Sequence, residues 1–159
     1  AHVAEDVAAV LVESMKEAVV LLGLGHLKKW AMVLSLLGNS DSAIEAHRVV
    51  LVRAKFCEYY ALQYGSEEAE RAFMVGLLCG IDILFGIEVE VFLKLIHVSE
   101  DVSSAVTQQA GRLGKILTLA LNLEKAVGLK PSSLENSSQS ILDSYHQAFH
   151  WAEGVLSES

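Results

Sequence analysis

Proline occurs once, at Pro131, and the chain lacks alternating polar and apolar stretches bounded by turn dipeptides. A strand-built sandwich or barrel is thereby excluded, and an all-α fold is expected. Long uncharged runs are missing too. Spanning a bilayer takes roughly 20 nearly uncharged residues, yet Val19 to Leu37 is broken by Lys28-Lys29, and Phe73 to Gly86 is short and contains Asp82. A positive mean hydropathy therefore points to a large core, with no membrane insertion. Basic residues are also scarce. Twelve Lys and Arg stand against 20 Asp and Glu, for a formal charge of −8, and no Lys/Arg run with interleaved aromatics forms a track for phosphates. Nucleic acid is excluded as a partner on that ground. The two cysteines, Cys57 and Cys79, both fall inside apolar helical patterns and read as small buried thiols, which fits a reducing cytoplasm. Neither a charged, cleavable leader nor a lipidation motif is expected. The chain opens at Ala1 without a Met and enters an apolar-periodic segment within a few residues, as expected of a piece of a longer protein.

What is present is apolar bulk. With 52% hydrophobic and 20% charged residues, 159 residues can offset their conformational entropy by burial in one compact domain spanning 1–159. Helices are expected over about Val3 to Leu22, His26 to Leu37, Asp41 to Tyr64, Glu67 to Phe85, Val89 to Leu95, a short piece after Ser99-Glu100-Asp101, Ala110 to Val127, and a last one ending near Leu156. Gly38-Asn39-Ser40-Asp41, Gly65-Ser66-Glu67-Glu68 and Lys130-Pro131-Ser132-Ser133 punctuate them. At about 100° per residue, the last helix gathers Ile141, Leu142, Tyr145, Phe149, Ala152 and Leu156 on one face, and Asp143, His146, His150 and Glu153 on the other.

The most informative residue is a charge in an apolar place. Around Arg53, the neighbours along the helical face are Val49, Val50, Phe56, Cys57 and Tyr60, so the guanidinium springs from an apolar stripe. The same reading gives Asp82 the neighbours Val75, Leu78, Cys79 and Phe85, and Glu124 the neighbours Leu117, Ala120, Leu121 and Val127. A lone internal charge is costly, so Arg53 is expected to pair with Asp82, Glu124 or both. Such a cluster reads either as a core ion pair that fixes helix register or as a ligand or switch site. A fixed guanidinium offers no lone pair and opposes a cation, so no metal is expected beside it.

Other patterns are weaker. Asp143, His146, His150 and Glu153 share roughly 80° of helix surface, a spacing that could hold zinc, but Gln147 stands where a gluzincin-type Glu would be, and a solvated face is the plainer reading. Gly23-Leu24-Gly25 lacks a third glycine and a preceding strand, and Gly111 with Gly114 reads as close packing. No acyl-transfer elbow is present. Trp30 and Trp151 read as core or rim packing, with a lesser claim as interaction anchors.

Three stretches, Ala18-Val19-Val20-Leu21-Leu22-Gly23 through Trp30-Ala31, Arg53-Ala54-Lys55-Phe56-Cys57-Glu58, and Ala72-Phe73-Met74-Val75-Gly76-Leu77-Leu78, resemble the HDOD (HD-related output) domain in the version attached to EAL domains. Tyr145-His146-Gln147-Ala148-Phe149-His150-Trp151-Ala152 is similar to that subfamily's ending. The resemblance implies an HD-like bundle of about seven or eight helices, without cofactor or catalytic residues. HD hydrolases hold metal with a His, a His-Asp pair and a later Asp. Against that pattern, Cys79-Gly80 stands where His-Asp would be, and Arg53 lies close to the first His. The implied function is a non-catalytic relay in cyclic di-GMP signalling, joined to an N-terminal EAL domain in the same parent chain, with other signalling proteins or a second copy as further partners. The alternatives are a small-ligand sensor with an interhelical pocket near Arg53 and a residual metal-dependent phosphohydrolase.

Overall fold

The computed structural model describes residues 41–86, 88–95, 98–129 and 138–157. Helix α1 spans Asp41–Ala61 and runs into a 3-10 turn, Leu62–Tyr64; α2 is Ser66–Leu78, α3 Ile81–Phe85, α4 Val89–Leu95, α5 Glu100–Gln108, α6 Gly111–Leu129 and α7 Gln139–Ser157. The fold is all-α, with no strand among the described residues. The helices expected over Val3 to Leu22 and His26 to Leu37, and Trp30 with them, lie outside the described residues.

Helix α1 is the hub. From Val50 through Cys57 every residue is buried, so this stretch is enclosed on all sides rather than presenting one apolar stripe. It packs most extensively against α2 and α7, then against α6 and α3. Its Val50, Leu51 and Phe56 are fully buried, as are Val75, Leu77 and Leu78 of α2, each removed from water at a gain of roughly 1.5 to 3 kcal/mol. The axes come close because α2 carries Gly76 at the crossing. A Cβ there would lie 2.7 Å from Ala54 Cα, against backbone that cannot yield. That contact sets the depth at which Arg53, the residue before Ala54, leaves α1.

Two expectations are corrected. The helix expected to run unbroken from Glu67 to Phe85 is two helices, because α2 ends at Leu78 and α3 starts at Ile81. Gly80, which precedes α3 with φ −104° and ψ 12°, is buried under Val50, whose methyl carbons would lie 2.6 Å from a Cβ at that position. The chain therefore turns where the apolar sequence pattern runs on. In α7, the residues buried deepest are Ser144, Ala148 and Ala152, while Phe149 is 43% exposed. The docking face is rotated by roughly 70° from the one defined by large apolar residues, at about 100° per residue. Small side chains four apart let α7 lie close against α1, and the bulky ones flank the contact. Gly114 packs tightly as expected, since a Cβ there would meet the Gln109 backbone, but Gly111 does not: it faces open space, and its φ of 72° is what calls for glycine.

Candidate functional site

The site lies where α1, the end of α2, α6 and α7 converge. Arg53 is 7% exposed and grips Glu124 of α6 with two hydrogen bonds: Nε donates to Oε1 at 2.7 Å, and a terminal guanidinium nitrogen donates to Oε2 at 3.0 Å. Paired in-plane donors of this kind match a carboxylate's geometry, which a lysine in the same place could not do. Glu124 is a quarter exposed, so the acid end of the pair touches water while the basic end does not. Burial works against the Arg53 cation, but the hydrogen bonds and charge of Glu124 outweigh it and hold its pKa above the ordinary arginine value. The guanidinium stays charged at any accessible pH.

Two thiols and a phenol flank the pair. Cys57, one turn along α1 from Arg53, is fully buried, and burial pushes its thiol far up despite the opposing Arg53 charge. Cys79, at the end of α2, is half-buried; burial raises its pKa, while the charge and a hydrogen bond of Arg53 pull the other way. Both therefore stand as neutral thiols near pH 7, poor as nucleophiles. Tyr145 of α7 is also pushed up, by burial and by the nearby negative charge of Glu124. Through one fixed cation the cluster joins α1 to α6 and to the end of α2, while Tyr145 of α7 meets it through the charge of Glu124.

Asp82 takes no part in this grip, contrary to the inward orientation expected of it. It is exposed, in the first turn of α3. The break at Cys79-Gly80 resets the helical phase, so the apolar neighbours counted back from Asp82 no longer share its face. Its influence is limited to a weak upward push on the Cys79 thiol. Trp151 is half-buried and turned inward: its ring meets Phe73 edge-on at 6.3 Å between centroids, and the Lys55 ammonium sits 4.8 Å above it. Among the described residues no three His, Cys, Asp or Glu side chains are placed to share a metal ion. Of the zinc-spaced set on α7, Asp143 accepts a hydrogen bond from Gln139 at 2.8 Å, Glu153 pairs with Arg48, and both histidines are exposed.

Lys55 was not singled out by sequence reasoning. It is 8% exposed, its ammonium 3.3 Å from Glu58 and 4.9 Å from the centre of the Tyr59 ring as well as over Trp151. Glu58 and Tyr59, three and four residues on, were a legible local signal of a partnered lysine. The third partner, Trp151, lies far along the chain and left none.

No family model matches the chain. Over 151 residues, 91% of the chain, it is 24% identical to YuxH, an uncharacterized protein of Bacillus subtilis, of which the match covers 37%. Over 123 residues, 76% of the chain, it is 28% identical to the cyclic di-GMP phosphodiesterase CdgJ of Vibrio cholerae, of which the match covers 28%. The chain thus spans about a third of the length of these curated relatives. No solved structure matches it.

Proposed function

We propose that this chain is a non-catalytic HDOD-type relay module in cyclic di-GMP signalling, carried in a longer protein beside an EAL domain. The observation that carries the reading is the buried Arg53–Glu124 pair flanked by the thiols of Cys57 and Cys79. In the HD pattern that the sequence resembles, this neighbourhood would present histidines and aspartates to a metal. Here its centre is a permanent cation, whose charge opposes a metal ion and whose nitrogens have no lone pair to give. The two thiols beside it are held neutral, which removes them as nucleophiles. What such a centre does well is lock the relative placement of α1, α2 and α6, so that a push on one element reaches the others. Similarity to the cyclic di-GMP phosphodiesterase CdgJ supports the signalling context.

The test compares cyclic di-GMP hydrolysis and binding by the parent protein with and without residues 1–159, and with Arg53→Ala. The reading expects both changes to shift turnover or affinity. Identical turnover and affinity in all three proteins would sink it, and so would phosphohydrolase activity that survives in the isolated domain and disappears with chelation.

A further inference from the structure

We infer that α7 is a detachable cover, which undocks from α1 as a unit while α1, α2 and α6 stay packed. Its contact with the rest of the domain is of a different kind from theirs. Where α1 meets α2, large side chains such as Leu51, Phe56, Leu77 and Leu78 are fully buried. Where α7 meets α1, the buried residues are Ser144, Ala148 and Ala152, which remove little apolar area from water. Stabilisation by burial scales with that area, so among the long helices α1, α2, α6 and α7 it is α7 that is held least by fully buried apolar side chains. Its large side chains flank that contact without being sealed in it: Phe149 is exposed, and Ile141, Tyr145, Trp151, Val155 and Leu156 pack against the core only partly buried.

Specific ties hold it instead, and they lie close together. Trp151 stands edge-on to Phe73 and beneath the Lys55 ammonium, and two residues on Glu153 pairs with Arg48. One small rotation of α7 breaks these contacts together, which favours two discrete positions over gradual loosening. Release also carries Tyr145 away from Glu124 and uncovers the flank of α1 around Lys55. Undocking does not rest on the signalling reading above, but it gives that reading a moving part.

Hydrogen exchange of the intact protein at low urea tests the inference. Amides of residues 139–157 are expected to exchange at least about tenfold faster than those of residues 50–57 and 72–78, and with a shallower urea dependence, as a local opening requires. Trp151→Ala is expected to speed exchange in α7 further and leave α2 unchanged. One shared protection level and one urea dependence for α1, α2 and α7 would overturn the inference. So would a Trp151→Ala protein in which all three accelerate equally. Exchange decides undocking and turnover of the parent decides the relay, so the two fail separately.

Discussion

The Arg53–Glu124 pair allows a quantitative test because its two ends are unequally buried. Glu124→Gln keeps the shape of the side chain but strands a guanidinium that is 7% exposed, with one amide oxygen in place of a carboxylate. Stripping a buried ion of its partner costs about 3 to 5 kcal/mol, and the remaining acceptor places this substitution near 3. Arg53→Met removes the charge, keeps most of the stem, and leaves a carboxylate that already touches water at a quarter exposure. Its cost is about 1 to 2 kcal/mol, that of a lost hydrogen-bonded group whose partner can rehydrate. In the double variant no buried charge is stranded, so it should be no less stable than Arg53→Met alone, giving a coupling energy of at least about 3 kcal/mol. Urea unfolding followed by circular dichroism measures all four proteins. With a slope near 2 kcal/mol per molar, Glu124→Gln lowers the midpoint by roughly 1.5 M. If Glu124→Gln proves no costlier than Arg53→Met, or the coupling falls below about 0.5 kcal/mol as for exposed pairs, the account of a one-sided buried pair is wrong.

Four further outcomes are expected. Cys57 should resist a thiol reagent at pH 8 until the protein unfolds, and Cys79 should react more slowly than a free thiol, both read by mass spectrometry; rapid labelling of Cys57 in folded protein would contradict its burial. Because burial raises the folded-state pKa of both thiols, their contribution to stability is complete below the unfolded value near 9.0 and is lost as pH rises above it. The urea midpoint should thus fall above pH 9 less steeply in Cys57→Ala than in the parent sequence. Gly80→Ala should destabilise by about 1 to 3 kcal/mol, because the added Cβ meets the Val50 methyl groups, and Val50→Ala should recover part of that loss when combined with it; simple additivity would mean the clash is not the cause. Phe149→Ser, on an exposed side chain, should cost no more than about 0.5 kcal/mol in the same assay, where a core phenylalanine would cost several.

The all-α class was legible in the sequence because the strand signals were missing. Several helix ends were legible because they are written in local chemistry. Asp41 opens α1, Gly65 with φ 110° stands between the 3-10 turn and α2, and Ser99 precedes α5 in an extended conformation. The burial of Arg53 was legible for a similar reason. Its apolar neighbours lie on the same unbroken helix, so counting along α1 measured a real face. The count failed at Asp82, since a break between two helices separates it from Val75, Leu78 and Cys79, and at Phe149, since docking followed close approach over small residues rather than apolar bulk.

By itself, then, the sequence determined an all-helical chain and a buried arginine that must find an acid. The tertiary structure alone decided that the acid is Glu124, that Cys79-Gly80 is a turn beneath Val50, and that Lys55 shares Trp151 with Phe73. The physical reason is that periodicity fixes a side chain's direction relative to its own helix axis and no further. Which partner stands opposite depends on where two axes cross, and that is set by packing between residues distant in the chain, as at Gly76 against Ala54.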